Sequence, residues 1–336
     1  MNESDNKKVT IEDVAIDAKV SIATVSRVIN GFSGVSSDVI ERVNKSINDL
    51  NYIKNSRIRT FDKKNTYIGV VIPNISNPYS SDLVKMVQDT LDNFGYNVII
   101  MDSGNNDEKS VDSVYKLLNL GIKGLIYLPT HHENNFEKKL LKLSIPTVFL
   151  GRKIGKNTNF VGCETSIGIY NGTKYLLSLG HINIAYITGD KKSEVDIDGL
   201  NGFLKAYNEN DLMFDYDNLL YGDYNMDFTE SIVKKMLLEK KVTAIMCSGD
   251  IMAYGALKAA KNLGISVPKD LSIMGFDDLP ISSVLDLTTI AQNSFSIGQS
   301  AALLLDDLLE GRKTTPQEIL LPTNIVIRST CGLCNN

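Results

Sequence analysis

The sequence predicts an α/β protein whose body is two lobes of parallel sheet covered by helices, preceded by a small all-α head. From residue 66 onward, strand-length apolar runs alternate with helical patterns, which implies parallel sheets clothed on both faces. The first fifty residues instead repeat their apolar positions at helical spacing only. At 336 residues, 43% hydrophobic and 22% charged, the chain can bury two or three cores.

The head is expected to hold three helices. Thr10-Ile11-Glu12-Asp13 reads as a capping box, and Ile11, Val14, Ala15 and Ala18 follow as one short apolar stripe that ends at Lys19-Val20. Ser21 can cap a second helix whose Val25, Val28 and Ile29 face inward, while Ile22, Ala23, Ser26 and Arg27 face outward; Asn30-Gly31 stops it. Ser36 starts a third, with Val39, Ile40, Val43, Ile47 and Leu50 on its packing face. This spacing fits a helix-turn-helix unit. The outer face of the second helix is small, apolar and free of acid, as entry into a major groove requires. A plain three-helix bundle with a bland second helix fits the same composition.

Charge leans the same way. The chain is −5 overall, yet residues 1–64 carry 11 Lys or Arg against 9 Asp or Glu, and the remainder 24 against 31. Within 52–64, Lys54, Arg57, Arg59, Lys63 and Lys64 face one acid, Asp62. A basic head on an acidic body suits an anionic polymer, although such residues can also merely solvate a linker.

In the body, the strand candidates are 67–72, 97–102, 124–128, 146–150, 184–188, 242–247 and 272–276. The helical stretches include 80–94, 109–120, 166–179, 227–239 and 250–263. Ligands of open parallel sheets sit beyond the carboxyl ends of the strands. The candidate cleft residues are therefore Asn74 to Tyr79 (Asn77 and Tyr79 foremost), Pro129-Thr130, Arg152, Asp190, Tyr224, Asp250 and Asp277. Each could instead be a loop cap, and Asp250 reads better as one.

TIEDVA, VSIATVSRVING, Val35-Ser36 and LNYIKN resemble, in order and spacing, the amino-terminal head of the lactose-repressor (LacI/GalR) family. IGVVIPNISNPY (68–79), LGH (179–181), GDIMAYGAL (249–257), VPKDLSIMGFDD (267–278) and LTTIAQ (287–292) fall where that family has its landmarks, so the resemblance spans about 9–330. It implies a DNA-binding head over 9–51, a hinge helix and linker over 52–65, and a periplasmic-binding-protein-like core over 66–330. Lobe one would hold about 66–163 and 292–321, and lobe two about 164–291 and 322–330. It also implies a dimeric repressor on a pseudo-palindromic operator, controlled by a small-molecule effector between the lobes. One short helix contacts too little DNA to specify a site alone, which agrees with a homodimer. No heptad-bearing tail follows the core, which favours a dimer over a tetramer.

By the same resemblance, Ile22, Ala23 and Arg27 read base edges, and Ser21, Thr24 and Asn30 contact phosphate; Thr10, Ser26, Asn55 and Arg59 complete the DNA-facing set. Lys19 departs from the family's usual glycine. In YIKNSRIRTF (52–61), the family's proline, alanine and leucine are replaced by Lys54, Ile58 and Phe61; Phe61 could wedge a base step. A basic linker without a wedge is the alternative. Tyr224 aligns with the ring that stacks on ligand, and Asp277 with a hydroxyl-binding carboxylate. Gly151, Gly199 and Gly249 stand where sugar-responsive members tend to carry polar clamps, Gly199 in place of an arginine. That pattern favours a bulkier neutral sugar or glycoside, with a nucleoside or a protein corepressor such as a phosphocarrier protein as alternatives.

Little supports an enzyme, a metal site or a cofactor. GRKIGKN (151–157) has too short a glycine spacing for a phosphate loop and ends on Asn157 where a hydroxyl belongs. The sequence contains no GxSxG elbow. His131, His132 and His181 lack metal-ligand spacing, and the helix dipole accounts for His181. Cys163 and Cys247 are expected as packed strand residues, and Cys331 and Cys334 as an unstructured tail. The polar start and the absence of an apolar run of spanning length lead to the expectation of a cytoplasmic, nucleoid-associated protein with no membrane contact.

Overall fold

The computed structural model describes residues 11–29, 35–50, 63–129, 137–191, 193–239 and 241–335. The chain forms two compact units, residues 1–60 and 61–336.

The first unit holds α1 (Ile11–Asp17), α2 (Ile22–Ile29) and α3 (Ser37–Asp49). Val14, Ala15, Ala18, Val25 and Val43 are buried together, with Val20, Val28, Val39, Ile47 and Leu50 around them. Ser46 Oγ donates to the Val14 carbonyl at 3.3 Å and fastens α3 to α1. Ile40 departs from expectation: it is 38% exposed, because the face of α3 that meets α1 and α2 runs through Val39, Val43 and Ile47. Ser21 caps α2 as expected, its Oγ accepting from the Thr24 N–H at 3.1 Å. The turn keeps the left-handed residue that favours glycine: Lys19 has φ 54°, a strain of about 1 kcal/mol.

The described part of the second unit begins with a single 3-10 turn, Lys63–Asn65. Then follow β1 (Tyr67–Ile72), α4 (Pro78–Asn93), β2 (Asn97–Asp102), α5 (Asp107–Asn119), β3 (Gly124–Tyr127), α6 (Glu137–Leu140), β4 (Thr147–Leu150) and β5 (Asn159–Cys163). The chain next builds α7 (Thr165–Ser178), β6 (Ile184–Thr188), α8 (Glu194–Asn208), β7 (Leu219–Tyr221), α9 (Met226–Glu239), β8 (Ala244–Cys247), α10 (Asp250–Asn262), β9 (Ser272–Asp277), α11 (Pro280–Val284) and β10 (Thr288–Ala291). It ends with α12 (Ser294–Leu309), β11 (Glu318–Leu321) and β12 (Asn324–Val326).

The strands form two six-stranded sheets, ordered β11-β5-β4-β3-β1-β2 and β12-β10-β9-β8-β6-β7. Among the described residues all pairings are parallel except β12 on β10. Each sheet has a buried apolar cluster on both faces, and central strands such as β6 are buried throughout, as parallel strands between two helix layers must be. The chain crosses between the sheets three times, after β5, β10 and β11. The crossings touch. Glu164 N–H donates to the Leu321 carbonyl at 3.1 Å, and the Cys163 thiol to Gln292 Oε1 at 3.2 Å.

The carboxyl terminus corrects two expectations. Residues 330–334 are not a loose tail but are laced to lobe two: Ile273 N–H donates to Thr330 O, Gly332 N–H to Ser272 Oγ, and Cys334 N–H to Leu179 O. Cys331 packs against the lobe-two core. His181 lies beyond the end of α7, and its ring, 2% exposed, bonds Thr243 Oγ1 and Gly332 O at 3.0 Å each. It fastens the terminus, and burial lowers its pKa. No helix among the described residues is long and apolar enough to cross a membrane.

Candidate functional site

Two surfaces carry chemistry, one in each unit. In the head, α2 (IATVSRVI) contains no acid. Ser21, Ile22, Ala23 and Arg27 are exposed on it, with Thr24 and Ser26 half-exposed beside them. Burying Val25 against α1 and α3 turns these residues outward. Thr10, Asn30, Asn55, Arg59 and Phe61 lie outside the described residues, as does the expected hinge helix.

In the body, a cavity of about 280 Å³ lies between the lobes, lined by loops that follow the strands of both sheets. Lobe one contributes the start of α4, where Asn77 Oδ1 caps the helix by accepting from the Tyr79 N–H at 3.0 Å. Tyr79 and Arg152 stand beside it. Arg152 is 6% exposed and pairs with Glu194 across the cleft at 3.7 Å. Thr130 lies outside the described residues.

Lobe two contributes Tyr224, whose ring stands between two glycines. A Cβ on Gly189 would lie 2.1 Å from Tyr224 Cε2, and one on Gly249 would lie 3.1 Å from the same ring. Asp223 and Tyr224 both adopt left-handed backbone, φ 51° and 48°. The Tyr224 hydroxyl donates to Asp196 Oδ1 at 2.8 Å. Asp196, 2% exposed, also accepts from Thr188 Oγ1 at 2.7 Å, Gly189 N–H at 2.9 Å and Asp190 N–H at 3.0 Å. One carboxylate thus joins the loops after β6 and β7. Burial, followed by the charge of Asp196, pushes the Tyr224 hydroxyl well above its ordinary range.

At the cleft floor, Asp277 has φ 120° and accepts from Gln292 Nε2. Gln292 in turn accepts from Cys163, so a chain of bonds runs from the cleft into two of the three crossings. Burial, with Asp250 nearby, raises the Asp277 carboxyl well above the usual range.

Several predicted positions fall elsewhere. Asp250 is fully buried and does not line the cavity. Nor does it cap α10, since Gly249 occupies the cap position without a side-chain bond. Its carboxylate instead accepts from Leu279 N–H at 2.8 Å, Thr289 Oγ1 at 2.6 Å and Ser282 Oγ, and so shapes the loop after β9. Asp190 also lies off the cavity, its N–H held by Asp196. A Cβ on Gly199 would lie 2.7 Å from Tyr186 Oη, so its missing side chain adds no space to the cleft. The space beside Gly249 is taken by Tyr224. Gly151 does border the cleft, and its φ of +69° calls for glycine.

Asp196, Ser248, Gln292 and Cys163 line the cavity although the sequence pattern does not place them there. Asp196 has a local signal, because Ser193-Glu194-Val195-Asp196 is itself a capping pattern, and Ser193 caps α8. Among the described residues no cluster of His, Cys, Asp or Glu is placed to hold a metal ion.

Residues 10–55 match the family of bacterial regulatory proteins, lacI family, and residues 173–331 match a periplasmic binding protein-like domain. The ribose operon repressor of Halalkalibacterium halodurans is 32% identical over 329 residues, 96% of each chain. The chain belongs to the LacI family. Catabolite control protein A of Priestia megaterium is also 32% identical, over 96% of this chain and 99% of its own. Among solved structures, the CelR transcriptional regulator in complex with cellobiose overlays with a TM-score of 0.73 at 25% identity, covering 96% of this chain and 99% of that one. The lac repressor dimer bound to operator and the anti-inducer ONPF overlays with a TM-score of 0.72 at 29% identity, with the same coverage. As a LacI-family member, this chain is a DNA-binding transcriptional repressor whose helix-turn-helix includes α1 and α2.

Proposed function

We propose that this LacI-family repressor binds its operator as a homodimer and is controlled by a neutral sugar or glycoside held in the interlobe cleft. The observation that carries the ligand class is the charge and shape of the cavity. Three acidic side chains line it, Asp196, Asp223 and Asp277, the last with its carboxyl raised well above the usual range by burial. Among the described residues its one lining cation is Arg152, already paired with Glu194. An anionic effector would meet uncompensated like charge there. A hydroxyl-rich neutral ligand would find carboxylate and amide acceptors and a tyrosine ring to stack on. Ligand contacts from both lobes would favour closure about the three crossings. Any such effect on operator affinity acts equally, in reverse, on ligand affinity.

Thermal melting of the full chain tests this against ribose, cellobiose and other neutral sugars and glycosides, their phosphates, nucleosides, and a phosphorylated carrier protein. A ligand at 100 times its Kd adds about 2.7 kcal/mol. The expected result is a higher Tm with a neutral sugar or glycoside, lost in Tyr224→Ala. A response confined to sugar phosphates or nucleosides would overturn the reading. The similarity to catabolite control protein A favours a second reading, control by a protein partner; a response confined to the carrier protein would support it instead.

A further inference from the structure

Lys63 opens the described part of the body, directly after residues 51–62, which lead from the head. Its ammonium is held from several sides. Nζ lies 2.8 Å from Asp306 Oδ1 and 3.0 Å from Glu310 Oε1, and it sits over the rings of Tyr96 at 4.9 Å and Phe94 at 5.4 Å. Tyr96 Oη donates to the same Asp306 oxygen at 2.8 Å, and Arg312 bonds the other. Asp306 is 3% exposed. Burial alone would raise its carboxyl, but the bonds from Lys63, Tyr96 and Arg312 hold it below the ordinary value.

The partner element decides what this contact can do. Asp306 belongs to α12, which Asn293 caps shortly after the end of β10, and Gln292 before that cap lines the cleft. Sixteen residues make α12 about 24 Å long. A Cβ on Gly298 would lie 2.8 Å from Met86 Cβ and 3.0 Å from Leu83 O, so α12 lies tight against α4, whose first turn also lines the cleft. Two closely packed helices therefore run from the cleft wall to the end of lobe one where Lys63 is bound.

We propose that Lys63 is a positioning residue for operator binding: by anchoring the body end of the linker to the far end of α12, it sets where the chain leaves the body. Such a residue touches no DNA base and no ligand.

The test uses the full chain and a duplex selected by the wild-type protein from a random DNA pool. Lys63→Met is expected to weaken binding to that duplex about tenfold, with Lys63→Arg restoring most of the loss. Arg312→Met perturbs the same Asp306 cluster without releasing the linker, and should bind the duplex as the wild type does. Melting of each variant reports the stability of the body separately. Unchanged binding by Lys63→Met would overturn the proposal, as would an equal loss in Arg312→Met, which would mark the cluster as general support. Neither result would bear on the sugar reading, because no effector is present.

Discussion

Gly202→Ala is expected to destabilise the body by about 2–3 kcal/mol, although alanine is the better helix former by about 1 kcal/mol. The contact decides the sign. A Cβ on Gly202 would stand 2.1 Å from the Ser166 carbonyl oxygen and 2.9 Å from its carbon. Backbone cannot swing aside as a side-chain tip can, so α8 must lift from α7. Both helices carry cleft residues, Thr165 on α7 and Asp196 on α8, so ligand binding should weaken with the packing. Urea or thermal melts check this, with Gly199→Ala as the comparison in the same helix. There the nearest atom is the hydroxyl of Tyr186 at 2.7 Å, the end of a side chain, and the loss should stay within about 1 kcal/mol.

Asp250→Ala should cost about 2–4 kcal/mol, because it leaves the Leu279 N–H and the hydroxyls of Ser282 and Thr289 without their buried acceptor. The hydroxyls can partly recover, since Ser282 also bonds Tyr254; the Leu279 N–H has fixed direction. Burial raises the Asp250 carboxyl from the ordinary 3.8 to about 6. The folded chain therefore takes up this proton before the unfolded chain does. That contribution is full below the unfolded value and is lost as the pH rises through about 6. Melts at pH 5 and pH 7 should show a smaller gap between wild type and variant at pH 7. A gap that widens toward pH 7 would assign the loss to another group.

Much of this architecture is legible in the sequence because fully buried strands read as unbroken apolar runs. β1 and β6 fall on the residues their runs mark, and the half-buried edge strand β2 does so too. β7 and β12 are three residues each, too short to show a period. β11 exists only by pairing with β5, far away in the sequence. α8 escapes the helical pattern because Gly199 and Gly202 interrupt it, and the structure needs Gly202 for the contact with α7.

The cleft divides in the same way. Tyr224 sits in the loop after β7 and Asp277 at the carboxyl end of β9, where the position of a parallel sheet's ligand site follows from its direction. Asp196 takes its role from loops that meet only in the folded lobe. Gly249 misleads because a missing side chain does not say what fills its place, and here Tyr224 does.

The state of the cleft is expected to govern operator affinity. The most direct test is a titration of the full chain on its selected duplex, with and without a saturating amount of the neutral sugar that raises Tm most. A change in affinity of about tenfold or more in either direction is expected, abolished by Tyr224→Ala. Identical affinities with and without that sugar, while it remains bound, would contradict control by the cleft.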